Sequence, residues 1–183
     1  MKAIIFDTET TGLLKPSANT LEAQPYITEI FCLKIEHLPS GEIDIVDEFE
    51  SLCKVPVPLS EDITRITGLT DADLANQPTF PEIFPALSKF FTGVDRMVAH
   101  NLAFDKSMLA NECHRAGKVL NMPWPREHIC TVEKSMHIEQ RRMNLTNLHK
   151  HFFGEGFVDA HRAKNDVMPL FCCYKEMVKQ GMI

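Results

Sequence analysis

An apolar segment near the amino terminus runs directly into two carboxylates, and this feature limits what the chain can fold into more than any other. Ala3 to Phe6 has the length and composition of a strand that is buried on both faces. Asp7 and Glu9 follow two positions apart, and alternate residues of a strand point to the same face. Two buried carboxylates at one place are costly without a compensating cation. The segment therefore predicts a strand that ends at a metal site.

The composition is typical of one globular domain. The chain has 183 residues, of which 44% are hydrophobic and 24% are charged. This length suits a single domain over residues 1–183 rather than two domains. Apolar stretches fall short of the ~18 residues that a membrane span needs, and acid appears too early for a signal peptide. We therefore expect a cytoplasmic protein with no membrane partner, whose six cysteines are free thiols.

Strand-like segments come first in the chain, and helical segments follow. Beyond the opening strand, the patterns predict strands at 26–38, 43–55, 97–99 and 129–132. Apolar periodicity predicts helices at 60–68, 70–74, 80–91, 102–116, 144–154 and about 163–179. For the last helix, Pro169 favours a start near Asn165, because proline is tolerated in a first turn. The first three strands should form an antiparallel meander within an α/β domain built around a mixed sheet.

Two further aspartates lie where helices begin. Asp105 falls in the first turn of its predicted helix, and Asp166 lies at or near the start of the last one, with His161 in the loop before it. Taken singly, each aspartate is explained equally well as a helix cap that the helix dipole stabilises. A lone histidine in such a loop is usually a surface residue. Together with Asp7 and Glu9, however, the aspartates make four carboxylates, each beside the end of an element.

Four carboxylates of this kind indicate the cofactor and the chemistry. Oxygen ligands suit Mg²⁺ or Mn²⁺ rather than zinc. Two such ions ~3.5–4 Å apart would balance the four negative charges and form the clamp used for in-line attack on phosphodiesters. Histidine titrates near neutral pH, so His161 could take a proton from the attacking water as general base.

Three motifs resemble the ordered exonuclease motifs of the DEDDh family. They are Phe6-Asp7-Thr8-Glu9-Thr10-Thr11-Gly12-Leu13, His100-Asn101-x-x-Phe104-Asp105 and His161-x-x-x-x-Asp166. The family includes the proofreading epsilon subunit of bacterial DNA polymerase III and phage-encoded relatives, and the similarity covers nearly the whole chain. The resemblance implies an RNase H-like fold, with a central mixed five-stranded sheet flanked by helices.

The resemblance also implies an activity and a role for each motif residue. The activity is 3′→5′ hydrolysis of single-stranded DNA to nucleoside 5′-monophosphates, in proofreading or DNA degradation, with a DNA polymerase as a candidate partner. The implied metal ligands are Asp7, Glu9, Asp105 and Asp166, and the implied base is His161. The residues expected to contact the terminal nucleotide are Thr8, Thr10, Leu13, Asn101 and Phe104. Of these, Leu13 would wedge against the base, and Asn101 and Phe104 would line the pocket, although Phe104 could instead be a core residue.

The charge distribution gives a mixed signal about nucleic acid. The net charge is −6, whereas binding to a phosphate backbone usually needs a basic surface. Residues 134–164 nevertheless carry six lysines and arginines against three acids. Alone, this bias is typical of a solvated face. With the resemblance, it becomes a candidate path for the strand, formed by Arg141, Arg142, Arg162 and Lys164.

Two alternatives remain open from the sequence. The substrate could be RNA 3′ ends, because no residue reveals whether a 2′-hydroxyl is read. The chain could also be a non-catalytic nucleic-acid-binding or polymerase-docking module. This second alternative is disfavoured, because such a module would normally have lost at least one of the five polar residues that the chemistry needs.

Overall fold

A mixed sheet forms the centre of the computed structural model, which describes residues 1–158 and 161–183. Its strands are β1 (Lys2–Thr10), β2 (Ile27–His37), β3 (Ile43–Leu52), β4 (Arg96–Ala99) and β5 (Glu127–Cys130). They lie in the order β3-β2-β1-β4-β5. β2 pairs antiparallel with both β1 and β3, whereas β4 pairs parallel with both β1 and β5. The predicted mixed five-stranded sheet and its antiparallel meander are confirmed.

Helices pack on both faces of the sheet. In the described residues they are α1 (Glu61–Thr67), α2 (Asp71–Leu74), α3 (Phe80–Phe91), α4 (Leu102–Arg115), α5 (Thr131–Glu139), α6 (Leu145–Phe153) and α7 (Ala163–Lys179). The sequence did not predict α5, because its first residues, Thr131 and Val132, are β-branched and favour a strand. In the structure the strand stops at Cys130 and the helix follows directly.

β1 is the central strand of the sheet, and its two faces contribute to two separate sets of core residues. Ile4 and Phe6 belong to the cluster that includes α3 and α4, and Phe6 meets Phe91 edge to face at 6.2 Å. Ala3 and Ile5 belong to the cluster that includes α6 and α7. Since side chains alternate along a strand, the odd-numbered acids at the end of β1 share the face that α7 covers.

The start of α7 differs from the prediction. The helix begins at Ala163, and Pro169 lies in its interior, so the expected start near Asn165 was wrong. Proline has no N–H to give to the preceding turn. The helix nevertheless continues, because its inner face, which includes Leu170 and Tyr174, is buried against the sheet. Tertiary packing outweighs the local cost.

No described helix is both long and apolar enough to cross a bilayer.

All six cysteines are free and five are buried. Burial raises the pKa of Cys53 to about 12, so this thiol stays protonated and unreactive.

Candidate active site

The end of β1 and the start of α7 bring carboxylates and a histidine together. Glu9, His161 and Asp166 each present a ligand atom, and these atoms all lie within 4.8 Å of one another. Asp7, His161 and Asp166 line one cavity of about 250 Å³. The first and third sequence motifs therefore meet at a single place beside the sheet, although Glu9 and His161 lie more than 150 positions apart in the sequence.

Asp105 reaches the same region from α4. The residue is only 2% exposed, and its Oδ1 atom accepts two hydrogen bonds from Thr8, from the backbone N–H at 3.1 Å and from the hydroxyl at 2.8 Å. Its carboxylate is therefore tied to β1. Asp105 and Asp166 occupy the same fourth position of their helices, so each helix start carries one acid toward the end of β1.

Burial raises the pKa of all four carboxyl groups, and neighbouring charges within the group raise the pKa of Asp7, Glu9 and Asp105 further. Burial raises the pKa of Asp7 well above its ordinary value, and the charges of Asp105, Glu9 and Asp166 act in the same direction. Burial and the charge of Asp166 raise the pKa of Glu9 to about 8. Burial raises the pKa of Asp105 to about 7, although the hydrogen bonds from Thr8 oppose the shift. Such crowding of like charge favours binding of a cation.

The donor set fits hard divalent cations. Carboxylate oxygens are the ligands that Mg²⁺ and Mn²⁺ prefer, whereas a structural zinc site is built from thiolates and imidazoles. Among the described residues, no cysteine joins the group formed by Glu9, His161 and Asp166. Asp7, Glu9, Asp105 and Asp166 are therefore the residues that could hold such ions.

The raised pKa values predict that the metal-free protein loses stability as the pH rises. An acid whose pKa is raised by folding stabilises the protein below its unfolded pKa of about 4, and this stabilisation disappears as the pH passes the folded pKa. With folded pKa values of about 7 for Asp105 and about 8 for Glu9, the metal-free Tm should fall by several degrees between about pH 6 and about pH 8.5.

Mg²⁺ should remove most of that pH dependence, because the metal binds the deprotonated carboxylates. Thermal melts with a chelator and with saturating Mg²⁺ across this pH range would measure the effect. A metal-free Tm that stays level or rises toward pH 8.5 would contradict the raised pKa values.

His161 is held in an uncommon backbone conformation. Its φ is 70°, in the left-handed region that residues other than glycine seldom adopt. The backbone N–H of His161 donates to Asp166 Oδ2 at 2.9 Å, which fixes the histidine to the acid five residues later. The side chain is exposed to solvent and reaches the carboxylates of Glu9 and Asp166.

The predicted contacts to the nucleotide from β1 have different surroundings. The hydroxyl of Thr8 donates to Asp105, and the hydroxyl of Thr10 donates to the Gly12 carbonyl at 2.7 Å. Both threonines are buried, whereas Leu13 is 79% exposed. Leu13 is thus open to a ligand, while both threonine hydroxyls already have protein partners. Nucleotide contact by these residues stays a prediction.

The second motif places Asn101 and Phe104 at the beginning of α4. Asn101 has a left-handed φ of 73°, and its Oδ1 accepts a hydrogen bond from Arg142 at 2.8 Å. Phe104 is half-buried and packs against the core on the α3 and α4 face, so it does contribute to the core. Whether either residue also touches a nucleotide stays a prediction.

The four cations of the predicted strand path all contact polar partners. Arg141 pairs with Glu139, and Arg142 binds Asn101. Lys164 lies 3.3 Å from Glu48. Arg162 binds the buried Glu29 through two of its nitrogens. None of the four lines the 250 Å³ cavity, so their role in a strand path stays a prediction.

Several cavity residues were missed by reasoning from the sequence; they are His100, Asn144, Leu145, Thr146 and Phe157. The ring of His100 contacts Thr131 Oγ1 at 2.9 Å and the Met143 carbonyl at 3.1 Å. Burial lowers its pKa to about 4, so it is a neutral structural link. Its place in the second motif was a signal to which no role was assigned. Asn144 stood out in the sequence only as the first residue of the predicted helix 144–154, and its side chain caps that helix.

A larger cavity of about 360 Å³ is lined by residues at the start of β2 and on α3 and α4. Its walls are mainly apolar, and of its charged residues, Lys54, Glu112 and Arg115, the last two are joined at 2.9 Å. Arg115 also stacks on the Tyr26 ring at 3.8 Å and donates to three backbone carbonyls of residues 21–25. These charges hold the segment between β1 and β2, so the candidate chemistry belongs to the smaller cavity.

The mixed sheet, the acids and the histidine define a nuclease of the DEDDh class. Residues 4–171 match the model of the exonuclease family (RNase_T), and the chain belongs to this family. It is 30% identical over 165 residues to the DNA polymerase III PolC-type of Caldanaerobacter subterraneus, a match that covers 89% of this chain and 10% of that relative. The chain therefore spans about a tenth of the length of the curated relatives it matches.

Two solved structures share the fold. One is the nuclease domain of 3′hExo, a DEDDh family member, bound to rAMP, with a TM-score of 0.77, 16% identity and coverage of 99% of this chain and 93% of that chain. The other is Exonuclease X in complex with 5′ overhanging duplex DNA, with a TM-score of 0.64, 22% identity and coverage of 98% and 93%. At these identities the likeness concerns the fold, and it confirms the predicted RNase H-like exonuclease fold.

Proposed function

We propose that the chain is a metal-dependent 3′→5′ exonuclease that hydrolyses single-stranded DNA to nucleoside 5′-monophosphates. The observation that carries this proposal is the convergence of Glu9, Asp166 and His161 within 4.8 Å of one another beside Asp7. Membership of the exonuclease family supports the class of reaction. Two of the curated relatives are DNA polymerases III of the PolC type, which supports DNA as substrate, proofreading as role and a DNA polymerase as partner.

Each acid and the histidine has a part in this proposal. Asp7, Glu9, Asp105 and Asp166 would hold two ions of Mg²⁺ or Mn²⁺, which when bound supply positive charge against the phosphodiester. His161 takes the proton of the attacking water as general base. The bond from phosphorus to the 3′ oxygen of the preceding sugar breaks, which leaves a shortened strand with a 3′-hydroxyl and a released 5′-monophosphate.

The size of the cavity supports attack at an end. A volume of about 250 Å³ lies just below the range of about 300–1,000 Å³ usual for ligand pockets and suits one terminal nucleotide better than an internal stretch of strand. Leu13, which is exposed, is the proposed wedge against the terminal base. A strand whose 3′ end is blocked should therefore resist digestion.

RNA remains the second candidate substrate. The fold neighbour 3′hExo was solved with rAMP, and a protein that prefers RNA would have to read the 2′-hydroxyl. A non-catalytic module is disfavoured, because all four acids and the histidine are present.

Digestion of matched oligonucleotides tests both the activity and the substrate. With Mg²⁺, 5′-labelled DNA should shorten one nucleotide at a time from its 3′ end, faster than RNA of the same sequence, and a chelator should stop the reaction. A 3′-blocked strand serves as control. Internal cuts, or release of the 5′ label as a mononucleotide before shortened strands appear, would contradict the proposed polarity. Faster digestion of RNA would make it the substrate instead.

A further inference from the structure

A fifth carboxylate lies beside the site but outside the metal-binding set. Glu29 stands opposite Glu9 in the pairing of β1 with β2, and it is only 1% exposed. Its two oxygens bind the guanidinium of Arg162, at 2.9 Å from Nε and 2.9 Å from Nη2. A contact through two parallel hydrogen bonds is stronger and more directional than a single one.

Glu29 also caps α7 from the sheet. Its Oε2 atom accepts a hydrogen bond from the backbone N–H of Ala163 at 3.2 Å. This N–H is the first of the helix and has no partner within it. Arg162, the N-cap residue, forms no capping bond with its side chain. The cap therefore comes from a residue 134 positions earlier in the chain.

These contacts hold the backbone at and just after His161. Its own N–H is bound by Asp166, and the two residues that follow it are bound by Glu29. A left-handed backbone costs energy in a residue other than glycine and persists only where surrounding contacts impose it. The bonds of Glu29 to Arg162 and Ala163 are such contacts, since they fix the chain immediately after the left-handed residue.

We propose that Glu29 and Arg162 are positioning residues, which hold His161 in the orientation that the reaction needs. This inference rests on the proposed nuclease function. It gives Arg162 a different task from the strand path, because its guanidinium is engaged by a buried acid.

Glu29→Gln is the main test, because it keeps the size of the side chain and removes its charge. Without the paired charge, the residues after His161 should sample other conformations. The value of kcat should fall about ten- to a hundredfold, because small losses of alignment are costly to catalysis. KM should stay within about twofold, since the substitution leaves the metal ligands and the proposed nucleotide contacts in place.

Glu48→Gln is the matched control. Glu48 lies on β3 and pairs with Lys164, the second residue of α7, at 3.3 Å, with both side chains about half exposed. This substitution makes the same chemical change as Glu29→Gln, but the partner of Glu48 lies one residue further along α7 than Ala163, which Glu29 binds. Exposed ion pairs contribute little, so kcat should stay at the wild-type value.

Two substitutions of Arg162 examine the other half of the contact. Arg162→Met should lower kcat as much as Glu29→Gln does, and Arg162→Lys, which keeps the charge but not the fork geometry, should recover part of the loss. The double variant should be no worse than the more impaired single variant, because both changes break one interaction. These variants also carry the test if Glu29→Gln does not fold.

Amide exchange in the metal-free protein provides a readout that is independent of activity. The N–H groups of His161 and Ala163 should exchange faster in Glu29→Gln than in wild type or Glu48→Gln. Unchanged exchange together with unchanged kcat would overturn the proposal. A second result would also overturn it: Arg162→Met raises KM and weakens the salt dependence of binding, while Glu29→Gln behaves like wild type. That result would put Arg162 on the strand path.

The two proposals fail in different ways. A wild-type protein without nuclease activity contradicts the proposed function, and exchange then still reports whether Glu29 orders the segment. If the wild type is active and the Glu29 and Arg162 variants have the same kcat and amide exchange as wild type, only the positioning role is contradicted.

Discussion

Replacing Asp7 with alanine should abolish hydrolysis and leave the fold intact. The charges of Asp105, Glu9 and Asp166 all act on the carboxyl group of Asp7. Its loss therefore removes the most central ligand of the proposed metal site. The rate should fall about 10³-fold or more, as when a single group that stabilises charge in a transition state is removed. Single-turnover digestion of a labelled oligonucleotide would measure this.

In the metal-free protein, Asp7→Ala should not lower the thermal stability. Asp7 is buried among like charges, and its removal relieves repulsion, so the Tm in a chelator should equal or exceed that of wild type. Asp44→Ala, an exposed aspartate on β3, is the matched control and should leave the rate unchanged. An Asp7→Ala enzyme within about threefold of the wild-type rate would exclude Asp7 from the chemistry, since transition-state charge stabilisation is worth far more.

Replacing His161 with alanine should slow hydrolysis by ~10²–10⁴, the usual contribution of a general base. The histidine is exposed at the cavity, and its side chain reaches the carboxylates of Glu9 and Asp166. As a base, it should contribute to the rate and not to the affinity for metal. Single-turnover rates and calorimetric titration with Mn²⁺ would separate the two contributions.

His151→Ala is the control for this substitution, because His151 is another exposed histidine, located on α6. It should leave both quantities unchanged. If His161→Ala lowers metal affinity as strongly as it lowers the rate, the histidine is a ligand instead of a base. A rate within about threefold of wild type would remove it from the mechanism.

The parts of this molecule that the sequence predicted are those set by local pattern. The two-residue period of a strand puts Asp7 and Glu9 on one face. The buried strand β4 leads into α4 and puts Asp105 at a helix start, and the loop before α7 puts Asp166 at another. Spacing alone left helix capping as an equal explanation for Asp105, because its bond to Thr8 spans 97 residues. Only the fold brings those two side chains together.

What the sequence did not reveal depends on distant partners. Pro169 argued for a late start of α7, but burial of the helix against the sheet decided otherwise. The basic bias between residues 134 and 164 did not show that Arg162 and Lys164 pair with Glu29 and Glu48 on neighbouring strands. Glu29 itself was a signal, since an acid within an apolar strand is costly unless it has a partner.

The claim that these acids hold two divalent ions is tested most directly by calorimetric titration of the metal-free protein with Mn²⁺, in the presence of a nucleoside 5′-monophosphate to complete the coordination. We expect two ions per chain for wild type and for Asp44→Ala, and at most one for Asp7→Ala. Absence of binding to the wild type, or a stoichiometry that Asp7→Ala leaves unchanged, would contradict the proposed four-carboxylate site.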